Sequence, residues 1–327
     1  MPKVSVITAV YNLQDIVLET IHSILAQTYA DLELIVVDDG STDATAERIE
    51  AVGDPRLNLV RADHTGLPAG ARRRAFEISR GEFLAVADGD DVLAPERIAR
   101  QVEFLEKHPA VGIVHSGYHH LLDGQIVPLP PRRDEPETTS AADMLPRLLV
   151  NNDICGPTVM LRRSAIERAG GFFDTDPLLC GPEDFELWLR LCEAGVEFGY
   201  IPEPLMNYRI RRDSVSRNLL RNWRGNLRAI EKAQARSPEL YARHRKLVRE
   251  RLSSTYRNLG RMKLIEGEPG ALADLWRAVQ FLPGSARAWG WMVLGLCGHN
   301  VARAVVKARD KASVPAAVLP DSHASTV

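Results

Sequence analysis

Short apolar runs alternate with amphipathic stretches through the first hundred residues of the chain. Four of these runs predict buried strands, namely Val4–Ile7, Leu34–Val37, Leu57–Val60 and Phe83–Ala87. Between the first two runs, Val17, Ile21 and Leu25 recur at helical spacing within a predicted helix over residues 15–27. Because strands here alternate with helices, we predict an α/β fold: a mainly parallel sheet with helices on both faces.

The pattern changes in the last third of the chain. After Ser214 the apolar spacing is mostly helical, and after Ala312 the residues are small and unpatterned. We therefore predict an α/β domain over residues 1–217, a helical C-terminal region over 218–311 and a disordered tail over 312–327. The apolar stretch Trp289–Cys297 is shorter than the roughly 20 residues that cross a bilayer, which favours a buried helix; a helix lying on a membrane surface is the alternative.

Three carboxylates follow the fourth apolar run, in Asp88-Gly89-Asp90-Asp91. If that run is a strand, the acids lie at its carboxyl end, the edge where open α/β sheets bind ligands. Clustered carboxylates repel one another, so the cluster favours a divalent cation, and hard oxygen ligands suit Mg²⁺ or Mn²⁺. The alternative is a solvated acidic turn. An EF-hand calcium loop is disfavoured, because Ala99 stands where that loop requires Glu.

Charge is distributed unevenly along the 327 residues. The formal net charge is -2, yet residues 1–208 carry 18 Lys or Arg against 34 Asp or Glu, and residues 209–263 carry 17 against 4. An acidic front half suits a metal site. The basic segment suits an anionic acceptor, a phosphate or an acidic membrane surface, with solvated helix faces as the alternative.

Other features narrow the class of protein. The four cysteines lack zinc-site spacing and indicate reduced thiols, and because a predicted strand begins at Val4 we expect no signal peptide. We expect a cytoplasmic protein, in contact with the inner face of the membrane if the basic region binds there, and no nucleic-acid partner. No GxGxxG or GxxxxGK[ST] motif is present, which argues against dinucleotide and P-loop sites.

Four segments, in order, resemble one family. They are residues 4–12, residues 36–43, the Gly70-Ala71-Arg72 helix followed by residues 88–91, and residues 181–190. Over about residues 3–217 the chain is similar to family 2 glycosyltransferases of the GT-A fold. The resemblance implies an inverting, metal-dependent transferase that moves a sugar from a nucleotide-sugar, with a UDP-sugar favoured, to a glycan or lipid-linked acceptor. A nucleotide-sugar-binding assembly partner without turnover is the alternative.

The resemblance also implies a nucleotide site. Ala9 and Tyr11 would line the base pocket, with Tyr11 as a flat stacking surface. Asp39 would accept a hydrogen bond from the uracil imide N–H, unless it forms only a local turn. Arg72 would reach the nucleotide or its diphosphate, where a guanidinium matches phosphate oxygens.

The same comparison suggests how the acidic cluster works. Asp88 and Asp90 would hold the ribose, and Asp90 and Asp91 would hold Mn²⁺ or Mg²⁺; the sequence leaves the division among the three open. The metal would bridge the diphosphate of the donor.

A catalytic base and a closing segment complete the implied site. Asp184 is the expected base, with Glu183 as its rival, and a carboxylate that only stabilises a helix start is the alternative for either. Arg211 stands where the family often has His. Arginine cannot ligate a metal but can pair with phosphate, so Arg211, like Glu183, is a candidate contact to the diphosphate or to the acceptor.

Overall fold

The computed structural model describes residues 1–132, 135–211 and 218–312, of which residues 306–312 are described by their backbone alone. These residues form two units. The first comprises those within Met1–Leu145, Asp153–Pro177 and Leu187–Arg212, and the second those within Pro146–Asn152, Leu178–Glu186 and Asp213–Val327. The predicted boundary at residue 217 lies outside the described residues, as does the predicted tail beyond Ala312.

The first unit is built on a mixed sheet, to which the described residues contribute ten strands. In chain order, β1 to β10 are Val4–Val10, Leu32–Asp38, Leu57–Arg61, Phe83–Asp88, Val92–Leu93, Val111–Leu122, Gln125–Val127, Thr138–Thr139, Met160–Arg162 and Glu197–Arg209. The main order is β3-β2-β1-β4-β9-β6-β10-β5, with β7 paired to β6 and β8 to β10.

The parallel part of the sheet agrees with the sequence pattern. β3, β2, β1 and β4 are parallel neighbours, and all seven residues of β2 are buried, as expected of a strand covered on both faces. Beyond β4 the sheet becomes mixed, because β9 runs antiparallel to both β4 and β6. β9 has three residues, too few for an alternation of apolar and polar positions to reveal it.

Amphipathic helices cover this sheet. The helices α1 to α7 are Val17–Leu25, Thr45–Glu50, Pro68–Ile78, Arg97–Lys107, Ala141–Val150, Arg163–Arg168 and Glu183–Glu193, and α5 and α7 each continue from one unit into the other. In α1 the buried residues include Val17, Ile21 and Ile24, which join the core formed by β1, β2 and β4. The predicted helix over 15–27 is therefore confirmed with shorter ends.

The described part of the second unit is helical, as the sequence pattern predicted. The helices α8 to α13 are Leu219–Arg236, Pro238–Arg243, Arg245–Glu266, Ala271–Phe281, Ala286–Leu296 and His299–Ala312. α10 and α11 pack closely: a Cβ at Gly260 would lie 2.7 Å from Leu275 Cγ. A small cluster of Leu264, Ala271, Leu275 and Ala302 forms a core here.

The prediction that Trp289–Cys297 forms a buried helix is wrong. The segment lies mainly in α12, where Ala288 and Gly295 are the buried residues, whereas Trp289, Val293 and Leu296 are exposed. The apolar content of α12 therefore exceeds what one packed face can cover. Among the described residues, none of the helices has the length and hydropathy needed to cross a membrane.

Candidate active site

The carboxyl ends of β1, β2 and β4 meet at one edge of the sheet. In the parallel register, Ala9 of β1 pairs with Val37 of β2 on one side and with Asp88 of β4 on the other. This register places Ala9, the residues that follow β2 and the acidic motif after β4 together, although nearly eighty positions separate Ala9 from Asp88 in the sequence. Open α/β sheets bind their ligands at such an edge.

The acidic motif forms a tight carboxylate cluster. Oxygens of Asp88, Asp90 and Asp91 all lie within 4.8 Å of one another. Asp91 is fully buried, and its Oδ1 accepts a hydrogen bond from the backbone N–H of Arg209 at 2.8 Å. The turn depends on Gly89, because a Cβ there would lie 2.6 Å from Val10 Cγ1. The clustered acids therefore sit in a closely packed turn rather than in a solvated one.

Burial and the charges of neighbouring carboxylates make Asp90 and Asp91 hard to ionise. Burial raises the pKa of Asp90 to about 6, with the charge of Asp88 adding to the shift and Arg211 opposing it. Burial also raises the pKa of Asp91 well above its usual range, again assisted by Asp90 and Asp88. The cluster therefore holds negative charge at a cost that an added cation would offset.

Three arginines surround the cluster. Arg72 Nη2 forms an ion pair with Asp88, and Arg211 Nη1 lies 3.4 Å from Asp90 Oδ2. Arg209 donates from Nε to the Asp90 carbonyl oxygen at 2.6 Å. Arg72 and Arg211 were predicted at this site, and the structure brings both of them to it.

Two of the basic residues near the cluster were missed by the sequence reasoning. Besides its bond to Asp90, Arg209 pairs with Glu19 of α1, so it connects the acidic turn to a neighbouring helix. Arg97 is fully buried and donates to the Val86 carbonyl oxygen at 2.8 Å, while burial lowers its pKa to about 10 against the opposing charge of Asp91. The sequence signal that could have identified Arg97 is its position next to the apolar stripe of α4.

The donor set fits Mg²⁺ or Mn²⁺. Asp91 Oδ2 is buried and has no hydrogen-bond partner among the residues that the structure describes. A buried carboxylate oxygen without a partner is costly unless a cation is bound to it. Asp88, Asp90 and Asp91 would supply the oxygen ligands that these hard cations prefer.

Asp39 holds a loop at the same edge of the sheet. Its carboxylate accepts hydrogen bonds from the N–H of Thr65 at 3.1 Å, from the Thr65 hydroxyl at 2.9 Å and from the N–H of Gly66 at 3.0 Å. The local turn is made instead by Asp38, which accepts from the Ser41 N–H at 3.1 Å. The suggestion that Asp39 forms only a local turn is therefore wrong, and its contact with uracil stays a prediction.

An aromatic pair lies next to this loop. The Tyr11 ring stacks on the His64 imidazole with centroids 4.1 Å apart and an angle of 20° between the planes. His64 Nδ1 is 2.8 Å from the Asp39 carbonyl oxygen and 3.0 Å from its Oδ2. Both rings are partly exposed, so Tyr11 offers the flat surface predicted for it, and His64 was missed.

Asp184 and Glu183 begin helix α7 within the second unit. Glu183 is buried, and its Oε2 accepts from the Gly181 N–H at 2.6 Å, which ties the helix start to the preceding turn. Asp184 is half-buried, with Oδ1 2.5 Å from the Phe185 nitrogen. The structural bond of Glu183 leaves Asp184 as the better candidate for a base, and the role of Asp184 stays a prediction.

Comparison with known proteins identifies the family. Residues 5–170 match the family model described as glycosyl transferase family 2. The chain belongs to this family. Membership in glycosyl transferase family 2 makes the chain a glycosyltransferase, and it agrees with the ordered motifs on β1, β2 and β4.

One sequence relative of this family 2 glycosyltransferase has a name that states its donor and its acceptor. The Escherichia coli UDP-Glc:α-D-GlcNAc-diphosphoundecaprenol β-1,3-glucosyltransferase WfaP is 31% identical over 219 residues, which are 67% of this chain and 81% of WfaP. The similarity covers two thirds of this chain, so the relationship extends beyond single motifs.

Solved structures show the same fold. The crystal structure of S. aureus TarS 1–349 in complex with UDP-GlcNAc superposes with a TM-score of 0.69 and 17% identity, covering 97% of this chain and 95% of that one. The mannosyltransferase PcManGT of Pyrobaculum calidifontis, in complex with GDP-Man and Mn²⁺, gives a TM-score of 0.56 and 21% identity, covering 95% and 88%. This family 2 glycosyltransferase therefore has the GT-A fold.

Proposed function

We propose that the protein is an inverting, metal-dependent glycosyltransferase that uses a UDP-sugar. The observation that carries the proposal is the cluster of Asp88, Asp90 and Asp91, in which the buried Asp91 Oδ2 has no hydrogen-bond partner among the described residues and would be stabilised by a cation. Mn²⁺ or Mg²⁺ bound there would neutralise charge on the departing nucleoside diphosphate, a Lewis-acid role. The Mn²⁺ bound to the structural relative PcManGT is in keeping with this.

The nucleotide site follows from the same edge of the sheet. Tyr11 would stack on the base, and Asp39 would position it, either directly or through the loop of His64, Thr65 and Gly66 that it holds. Ala9 would line the base pocket from the central strand β1. The names of WfaP, with UDP-Glc, and of the TarS complex, with UDP-GlcNAc, favour uridine.

Residues around the cluster would bind and orient the donor. Arg72 forms an ion pair with Asp88 in this structure. When the donor binds, the Arg72 guanidinium would contact the diphosphate, either in place of Asp88 or in addition to it. Asp88 and Asp90 would accept from the ribose hydroxyls. Arg211 would pair with a phosphate oxygen while it still faces Asp90.

Transfer would be a single displacement with inversion. The acceptor hydroxyl oxygen forms a bond to the anomeric carbon as the bond from that carbon to the diphosphate oxygen breaks. The bonding electrons leave with the nucleoside diphosphate, and Asp184 takes the hydroxyl proton as general base. Asp184 is chosen over Glu183 because Glu183 is buried and its Oε2 accepts from the Gly181 N–H, whereas Asp184 is half-buried.

We further infer that the acceptor is a glycan or a lipid-linked sugar. The name of WfaP specifies a sugar on diphosphoundecaprenol, an anionic lipid carrier. The basic character of residues 209–263, with 17 Lys or Arg against 4 Asp or Glu, suits an acceptor that carries phosphates.

The test combines donor binding with turnover in one variant. Calorimetry with UDP, GDP and dTDP, each with and without Mn²⁺, is expected to give metal-dependent binding of UDP. Asp184→Asn is expected to retain that binding and to lower transfer to a lipid-linked GlcNAc acceptor by roughly 10²–10⁴-fold. Binding without transfer by the wild-type protein would instead indicate the assembly partner, and undiminished transfer by Asp184→Asn would remove it as the base.

A further inference from the structure

The second unit exposes a continuous strip of large apolar side chains. On α11 the strip contains Leu272 and Trp276, one helical turn apart, and on α12 it contains Trp289, Val293 and Leu296 at positions i, i+4 and i+7. Each of the five is between 40% and 68% exposed. We refer to these five residues as the apolar strip.

Two contacts show that the strip crosses both helices without a break. The Trp276 and Trp289 rings meet edge to face with centroids 6.3 Å apart. Further along, a Cβ at Gly295 would lie 2.7 Å from Leu272 Cδ2, so the helices touch again beside Leu296. Apolar patches that extend over neighbouring elements are typical of interaction surfaces, whereas scattered apolar residues are not.

The sequence that contains the strip is mainly basic. From residue 271 to residue 309 the sequence has five Lys or Arg, and Asp274 is the one acidic residue. Asp274 is buried and pairs with Lys263 at 2.6 Å, so its charge is already neutralised. Arg287 precedes Trp289 by two residues, is exposed, and has no ion pair within the part of the chain that the structure describes.

We propose that the apolar strip docks the protein on an anionic lipid surface. Exposed Trp side chains beside arginines are the combination that interfacial helices present to headgroups and acyl chains. Negative headgroups would neutralise Arg287, which has no ion pair with any residue that the structure describes. Pairing of two copies through the strip is disfavoured, because it would bring like charges together.

The inference goes beyond the proposed transfer reaction and does not need it. Vesicle binding involves the second unit, whereas the acidic cluster belongs to the first. Either proposal, membrane docking or sugar transfer, can therefore be refuted without the other, provided that vesicle binding is measured without a nucleotide-sugar.

The experiment is sedimentation of the full chain with extruded vesicles, together with tryptophan fluorescence. Vesicles of phosphatidylcholine mixed with phosphatidylglycerol are expected to bind the protein and shift its emission to shorter wavelength, and vesicles of phosphatidylcholine alone are expected to bind far less. The double variant Trp289→Ser, Val293→Ser should weaken binding at least tenfold. Arg287→Gln should weaken it about fivefold, and only on anionic vesicles.

The controls separate docking from general stickiness and from misfolding. Ile78 and Ile126 are exposed apolar residues of the first unit, and the matched double variant Ile78→Ser, Ile126→Ser should bind vesicles like the wild type. Thermal unfolding checks that all variants fold, which their exposed positions lead us to expect. Equal vesicle binding by both double variants would overturn the proposal. So would a wild-type dimer that the Trp289→Ser, Val293→Ser variant dissociates, because the strip would then join two copies.

Discussion

Replacement of Asp91 by Asn should affect stability in opposite directions with and without metal. Asn keeps the shape of the side chain and an oxygen that can accept from the Arg209 N–H, but it removes the charge. In the absence of metal, the wild-type protein must bury this carboxylate beside Asp88 and Asp90. The variant escapes that cost, so we expect it to be the more stable of the two.

The size of the effect can be bounded from the geometry. Two unit charges 4.8 Å apart repel by about 3 kcal/mol at an effective dielectric constant of about 20. Protonation of Asp91 limits this cost. Keeping a group with an ordinary pKa of 3.8 neutral at about pH 7 costs about 4 kcal/mol, so about 4 kcal/mol is the upper limit of the stability that Asp91→Asn can gain. Allowing for the nearby arginines and for burial of the amide, we expect Asp91→Asn to gain about 2 kcal/mol, or about 5 °C in Tm.

Manganese should reverse the order of stability. At a concentration of about 100 times its Kd, Mn²⁺ would stabilise the wild-type protein by about 2.7 kcal/mol and should add little to the variant. Differential scanning fluorimetry in EDTA and in Mn²⁺ measures both effects. The control is Asp123→Asn, an exposed turn position with φ 48° where Asn fits equally well, and it should respond to Mn²⁺ like the wild type. An equal Mn²⁺ shift in Asp91→Asn and the wild type would refute the reasoning.

The remaining predictions concern the nucleotide and the pH. Arg72→Lys should weaken Mn²⁺-dependent UDP binding about tenfold by calorimetry, whereas Arg73→Lys, at an exposed position paired with Glu77, should not. Tyr11→Ala should also lose about tenfold in UDP affinity, since stacking of a base contributes about 1–3 kcal/mol; unchanged affinity would place the base elsewhere. Because the pKa of Asp90 is raised from 3.8 to about 6, its contribution to metal-free stability should fall by about 3 kcal/mol as the pH rises between these values. Urea unfolding should therefore show the advantage of Asp90→Asn over the wild type growing across that range, and a constant difference would contradict the shift.

The sequence and the structure agree best where neighbouring residues carry the signal. The apolar runs of β1, β2 and β4 are buried on both faces, and a run of this kind needs no distant information to be read. Strand β9 escaped notice because three residues cannot show a period. Its antiparallel pairing with β4 and β6 follows from the path of the chain, which local pattern does not contain.

The candidate site shows the same division. The motif Asp88-Gly89-Asp90-Asp91 identified the acidic turn, yet burial of Asp91 and its bond to Arg209 depend on how β10 pairs within the sheet. Likewise, the partners of Asp39 come from a loop 26 or 27 residues further along the chain.

By itself, the sequence determined the alternation of strands and helices, the family and the candidate site residues, because each of these depends on the order of nearby residues. Tertiary structure alone decided that a buried Asp91 oxygen has no partner among the described residues, that Asp39 holds the His64 loop, and that α12 presents Trp289 to solvent. The physical reason is that burial and long-range hydrogen bonds depend on which surfaces meet after the chain folds, and a helix with apolar residues on several sides does not specify which side will be covered.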